Sequence, residues 1–566
     1  RSDGYNNITI DGALFNNAFG LSGTVGGQTS AQPISLDAVD QITTSIAPYD
    51  VTQGSFTGAG VNVVTRSGTN DVTGSVYYFT RNQNLVGSNV GGNSNPYSNF
   101  SFNNMGVRLG APIIKNKLFI FGSYERERQT LPGTTYSAAT ASDPFVSGGT
   151  VSQVRASTLD SLSNFLKSNY GYNTGPYQNY NLLQNSDKAT VKLDWNISSN
   201  HKFSIKYNYL KSYKDQVPSG SGNIFGGSRS ASQFGLPFLG AYYRINNNLN
   251  SVIAELNSTF GSGFTNKFQI GYTAFRDFRG TPNGGGPFPL VDIGNGSGQN
   301  LTSFGYEPFS ANNILNTNVF QFSDNFDIYK GKHTFTLGTY NEFYHFENGF
   351  DPNYYGAYSF NSLSDFYASA AGTVGSIKQY QLGYSTAADG SFPMVKVDAF
   401  QLGLYGQDKY EVNSRLNITL GLRADMPVID SKIAQNTQAA GYTFSGGSTI
   451  NTSQVQKAQV LWSPRIGFNY DLKGDRSTQI RGGTGIFTGR VPYVWISNQA
   501  SNNGLLFNSK QYSQTNATAA GLVFSPNVDA YRPGKGSNPP PSASPSYNLA
   551  VTDRNFKFPQ VWRTSI

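Results

Sequence analysis

Three histidines, His201, His333 and His345, are the only side chains here whose ordinary titration lies near neutrality. None stands in an HExxH or other paired spacing, so no helix face presents two of them to a zinc ion. His201 and His333 adjoin short turns, where a solvated cap is expected. His345 follows Glu342 and gives one weak metal candidate. The chain has no cysteine, which removes disulfides and thiolate metal sites and says little about compartment. Asp351 and Asn353 supply only part of a calcium ligand set. No GxSxG, Walker A or dinucleotide fingerprint is present, and the glycines between Gly482 and Gly489 lie inside a strand pattern, where glycine marks a bend or a close backbone approach. These residues point away from an enzyme, and no cofactor or resident metal is expected.

Binding chemistry is better represented. Tyr170, Tyr172, Tyr180, Tyr354, Tyr355 and Asn502 fall in long Tyr/Asn/Gly-rich stretches, where aromatic faces beside amides suit a sugar ring or a peptide backbone. The same composition also packs loops that lack a core, and at any one position packing is the commoner role. Residues 157–171, with Leu159, Leu162, Phe165 and Leu166 on one face, predict an amphipathic helix folded over a loop. Asn538-Pro539-Pro540-Pro541-Ser542 reads as a stiff loop segment rather than a partner's polyproline ligand.

The elements that must position these residues are strands. Leu416, Ile418, Leu420 and Leu422 alternate with polar or small neighbours, as do Val191, Leu193, Trp195 and Ile197, and Phe203, Ile205, Tyr207 and Tyr209. Successive strand side chains point to opposite faces, so each segment has one greasy and one wet side. A half-buried soluble sheet shares that pattern. The connections decide between them. Short turns at 198–201, 262–266, 330–332, 412–414 and 473–476 alternate with long stretches at 129–187, 212–248, 348–394 and 490–554. An up-and-down barrel in an outer membrane has this asymmetry, and about fourteen segments satisfy the alternation criterion.

Composition agrees: 63 glycines, 35 tyrosines and 40 phenylalanines accompany only 13% charged residues. No apolar run of 18 residues exists, so no helix spans a membrane, and a closed barrel is the other way to satisfy backbone groups in lipid. The net charge of +8 contains no dense Lys/Arg run and excludes a nucleic-acid footprint. The fold class is therefore an all-β, antiparallel up-and-down transmembrane barrel contacting outer-membrane lipid. Residues 1–71 read differently, as α+β: a strand over 5–11 ending in Asp11-Gly12, a short helix capped by Ser35 with Leu36, Val39 and Ile42 on one side, and a strand over 58–65. The expected division is a plug part at 1–71 and a partial barrel at 72–566.

The run Ile46-Ala47-Pro48-Tyr49-Asp50-Val51, followed by Gly58-Ala59-Gly60-Val61-Asn62-Val63-Val64-Thr65-Arg66-Ser67-Gly68-Thr69-Asn70, resembles the plug end of TonB-dependent outer-membrane receptors of the Oar-like and SusC-like branches. Leu404-Tyr405-Gly406-Gln407-Asp408, Ser463-Pro464-Arg465-Ile466-Gly467-Phe468-Asn469-Tyr470 and the run from Arg481 to Arg490 support it. The resemblance implies a 22-stranded barrel, of which this chain holds about fourteen strands and lacks both ends. Such a piece is expected to leave two unpaired edges and to aggregate when isolated. It further implies uptake of a scarce ligand (an oligosaccharide, peptide or metal chelate), driven by the TonB–ExbB–ExbD complex, with a lipoprotein lid as a possible partner. A plug moved by force needs many replaceable polar contacts. Asp37, Asp40 and Asp50 of the plug, facing Arg415, Arg423, Arg465, Arg481 and Gln401 of the wall, are the expected set. A role in cross-bracing the lumen wall is the commoner one for any single arginine. A passive porin and a surface adhesion barrel remain alternatives, the first disfavoured by the plug-like segment, the second kept open by the long loops.

Overall fold

The computed structural model describes residues 3–23, 27–94, 98–535 and 548–566; the triple-proline run lies outside them. Fourteen antiparallel strands form one sheet in strict chain order. They are β1 (Thr73–Asn82), β2 (Ser101–Ile114), β3 (Leu118–Pro132), β4 (Asn181–Asn196), β5 (His201–Gln216), β6 (Tyr243–Phe260) and β7 (Phe264–Gly280). The series continues with β8 (Ile314–Lys330), β9 (His333–Gly349), β10 (Val395–Asn413), β11 (Leu416–Ile429), β12 (Leu461–Asp471), β13 (Gln479–Thr488) and β14 (Gln560–Ser565). Alternation sets the register: Val191, Tyr207, Val252, Tyr272, Phe320, Phe343 and Phe400 are successive cross-strand partners from β4 to β10. That apolar row faces outward, while Lys188, Lys206, Thr273, Gln321, Glu342 and Gln401 are buried on the inner side. Most strands exceed the predicted segments because pairing continues beyond the length a membrane requires.

One end of the sheet carries tight turns, such as Gly331 at φ 60 between β8 and β9. The other end carries a folded cap, and here the structure corrects an expectation. The long loops do have a core. A small sheet runs in the order Asn300–Phe304, Leu290–Gly294, Ala357–Phe360, Gln379–Ser385, Phe507–Ser513, joining three separate connections. Helix α1 (Ala156–Tyr170) closes over it with Leu159, Leu162 and Leu166 buried, packed in one cluster with Phe238, Phe304, Phe360 and Phe366. Gly171 at φ 64 ends α1, donating its N–H to Lys167 O.

The N-terminal segment lies against the concave side of the wall. Its sheet runs Ala13–Leu14, Asn7–Ile10, Gly60–Thr65, Val39–Ser45, with Asn7–Ile10 parallel to Gly60–Thr65. The predicted helix after Ser35 is a single 3-10 turn, Leu36–Ala38, which Ser35 does cap by accepting from Asp37 N. Val39 and Ile42 then enter a strand. Two consecutive threonines and pairing with Gly60–Thr65 outweigh the three-residue spacing.

Candidate functional site: the inner segment against the wall

Four arginines of the wall grip one stretch of main chain, residues 46–58. Arg465 on β12 donates through Nη1 to the carbonyls of Pro48 (3.1 Å), Asp50 (2.8 Å) and Gln53 (2.6 Å). Arg423 on β11 reaches Val51 O at 3.2 Å while Asp425 fixes its other edge at 2.9 Å. Arg490, just past β13, donates to Ser55 O at 3.0 Å and to Glu342 at 2.9 Å; Tyr340 and Tyr344 donate to the same carboxylate. Arg563 on β14 reaches Gly58 O at 2.8 Å and also the carbonyls of Ile46 and Thr57. A turn-rich stretch has few backbone partners of its own, so the forked guanidinium supplies them.

The same stretch presses into the wall where the wall has no side chains. A Cβ on Gly421 would come within 2.3 Å of Val51, and on Gly467 and Gly483 within 2.8 and 2.6 Å of Tyr49. The Tyr49 hydroxyl donates to Gly483 O at 2.8 Å. The glycines between Gly482 and Gly489 thus mark a close backbone approach. Below this contact lies an open cavity of about 630 Å³, lined among others by Tyr49, Asp50, Lys409, Asn417 and Arg481.

Away from the arginines the polar contacts are thinner and apolar packing takes over, with Ile10, Ala13 and Phe15 clustered with Leu210, Leu249 and Ile253, and Leu14 and Phe19 with Leu315, Val319 and Phe346. Lys206 on β5 joins Asp11 Oδ2 at 2.8 Å and Ile10 O at 3.0 Å. Burial pushes the Asp11 carboxyl up, but the ammonium of Lys206, aided by Lys192, leaves it below its usual value. Gln321 on β8 accepts from Leu14 N at 2.8 Å and donates to Gly12 O at 2.7 Å, and Asn247 on β6 accepts from Thr29 N at 2.8 Å.

Arg423 and Arg465 lie among the expected contacts to the inner segment, though each meets main chain rather than an aspartate. Asp37 pairs with Arg108 on β2 at 2.9 Å. Asp50 caps Thr52 with its carboxylate and offers its carbonyl to Arg465. Three expectations change. Asp40 faces Arg66 of its own segment at 4.0 Å. Arg415 sits in the β10–β11 turn against Gly474, and Arg481 bonds to Gln479 on its own strand. Both arginines lie too near the turn end of the sheet to reach the inner segment. Gln401 is fully buried, and its amide has no hydrogen-bond partner among the described residues. Sequence reasoning missed Arg490, Arg563, Tyr49, Lys206 and Gln321. Strand parity was the available signal for Lys206, which must point opposite to Ile205 and Tyr207.

The tyrosines of the loops are mostly inside the cap. Tyr172 (9% exposed) stacks on Phe288 at 3.9 Å, and Tyr180 (8%) donates to the Tyr242 hydroxyl at 2.6 Å. Tyr170 meets Phe165 and Phe524 edge-on. Tyr354 (6%) lies 3.7 Å beneath the guanidinium of Arg532, and Tyr355 meets Tyr306 at 5.1 Å. Asn502 is exposed and accepts from Ala550 N. His201 bonds Ser258 at 2.9 Å, His333 bonds Asp408 at 2.8 Å and His345 bonds Asp398 at 2.7 Å; no metal-holding cluster occurs among the described residues.

An all-antiparallel wall, greasy outside and polar inside, with an N-terminal segment against its concave side, defines an outer-membrane β-barrel protein, located in the bacterial outer membrane. The chain belongs to the outer membrane beta barrel domain family, whose model matches residues 64–566. It is 31% identical over 128 residues to the TonB-dependent transporter Oar of Myxococcus xanthus, covering 21% of this chain and 11% of that protein. The outer membrane transporter YddB from Escherichia coli shares the fold, with TM-score 0.56 and 13% identity over 90% of this chain and 56% of that one. This chain therefore spans a little over half of that solved transporter and a small part of Oar.

Proposed function

We propose that residues 1–71 are the C-terminal part of a plug, residues 72–566 part of the barrel around it, and the whole an energised transporter. It takes up a scarce ligand, an oligosaccharide, peptide or metal chelate, when the TonB–ExbB–ExbD complex displaces the plug. The observation that carries this reading is the character of the plug–wall interface. Along residues 46–58 it consists of hydrogen bonds that water can replace one at a time, with cationic donors on neutral carbonyls, while apolar packing is confined to separate clusters such as Ile10, Ala13 and Phe15 with Leu210, Leu249 and Ile253. Such contacts hold firmly when dry and let go when wetted. An open porin has no use for a segment held in this way.

Residues 1–566 contain no cysteine, so an introduced thiol has no competitor within them. A single Thr52→Cys in the full-length protein, in cells, should react with a membrane-impermeant maleimide much faster when the proton-motive force is intact than after an uncoupler. Equal labelling in both states, or in cells lacking TonB, would sink energised plug movement and favour a passive or adhesive barrel.

A further inference from the structure

The outward face of the wall changes character on its way to the cap. Below, Ile120, Val191, Ile205, Tyr207, Val252, Ile270 and Tyr272 form the exposed apolar band. Above that band, outward by the same parity, come Arg126 and Arg128 on β3, Lys211 on β5, Arg244 on β6 and Arg276 on β7. Only two carboxylates accompany these five cations, Asp187 and Asp215. Asp187 is the focus: Arg128 meets it at 2.6 Å, Arg126 at 3.9 Å, and Lys211 is its cross-strand partner. Arg126 and Lys211 are exposed, and the Lys211 side chain has no ion pair or hydrogen bond among the described residues. Arg244 is fixed by Asp215 at 2.6 Å and lies 4.2 Å over the Tyr213 ring, so it is held in place on the same face. The arc over β9 and β10 differs, with Glu347 and Asp398 opposing Lys396 and His345.

We propose that the outward face of β3–β7 binds a phosphate-bearing lipid headgroup of the outer leaflet, with Arg126, Arg128 and Lys211 as its cationic contacts. In an outer-membrane barrel, residues just above the apolar band sit at headgroup level. A one-sided cationic excess there complements anionic lipid, and forked guanidiniums suit phosphate oxygens. Asp187 holds the two arginines side by side without neutralising all three cations. The acyl chains would lie along Val191, Ile205 and Tyr207, which gives the site its preference for a lipid over free phosphate.

The test uses the full-length protein in phosphatidylcholine nanodiscs doped with a phosphorylated glycolipid, counting retained lipid per protein by native mass spectrometry. The unaltered protein should retain the phosphorylated lipid but not its dephosphorylated form, and millimolar inorganic phosphate should not displace it. The double variant Arg126→Gln/Lys211→Gln should lose about tenfold or more in retention, whereas Lys396→Gln, on the balanced arc, should bind as before. Equal retention of the dephosphorylated lipid, displacement by inorganic phosphate, or undiminished binding in the folded double variant would each overturn the proposal. The first two readings need no variant at all.

Discussion

Arg465 has more main-chain carbonyls on one nitrogen than any other wall residue described above, which makes it the sharpest single probe of the interface. Arg465→Ala leaves three carbonyls of the inner segment without their donor and removes the cation from the face of Phe487, 4.3 Å away. Losing a charged donor at a buried site costs about 2 kcal/mol. Amides of residues 46–58 should then exchange with deuterium roughly 30-fold faster, read by mass spectrometry. Arg481→Ala, whose side chain bonds Gln479 alone among the described residues, should leave that exchange unchanged. If both variants behave alike, the contacts to the inner segment carry no special weight. At this scale the sequence was partly legible. It marked Arg423 and Arg465 as inward by parity, but it pointed them at aspartates. Which atom a long guanidinium meets depends on where a turn-rich chain, distant in sequence, lays its carbonyls.

At the scale of elements, the cap is where pH should act. Asp351, in the connection after β9, is buried near Arg532, and burial pushes its carboxyl up to about 8 against the pull of that guanidinium. A folded cap therefore binds this proton more tightly than the unfolded chain, whose carboxyl titrates near 3.8. The stabilisation is complete below about 4 and is lost as pH rises through about 8. Thermal unfolding of the cap should fall in temperature between pH 5 and pH 8.5, and Asp351→Asn should abolish most of that slope. A slope of opposite sign would refute this account of Asp351. The helix over 156–170 was readable from its leucine spacing. The core it closes was not, because its other members come from four further connections, each too rich in polar residues and glycine to declare a core by itself.

For the whole molecule, the sheet order leaves β1 and β14 as its two edges, each paired on one side only. Unpaired edges template further pairing. Residues 1–566 expressed alone in detergent should form large, concentration-dependent species by light scattering. Proline at Tyr78 or Trp562 should reduce them by removing an edge donor. A monodisperse monomer would show that the edges are closed by some other means. The inner segment, the wall and the cap also divide the labour physically: arginine-to-carbonyl contacts and small apolar clusters inside, an apolar band outside, and an aromatic-rich hydrophobic core in the cap.

The sequence by itself determined the wall. A period of two in polarity, repeated between tight turns, fixes which side chains face lipid and which face the lumen, and a one-residue slip would reverse every strand. It also marked residues 1–71 as built differently from the rest, and the glycine-rich strand before Arg490 as a bend or a close backbone approach. Only the tertiary structure decided what lies against what: that Tyr49 and Val51 fill the space left by Gly467, Gly483 and Gly421, that arginines bind carbonyls rather than aspartates, and that the loop tyrosines are packed inward. Those outcomes depend on contacts between residues hundreds of positions apart, and local periodicity carries no information about such distances.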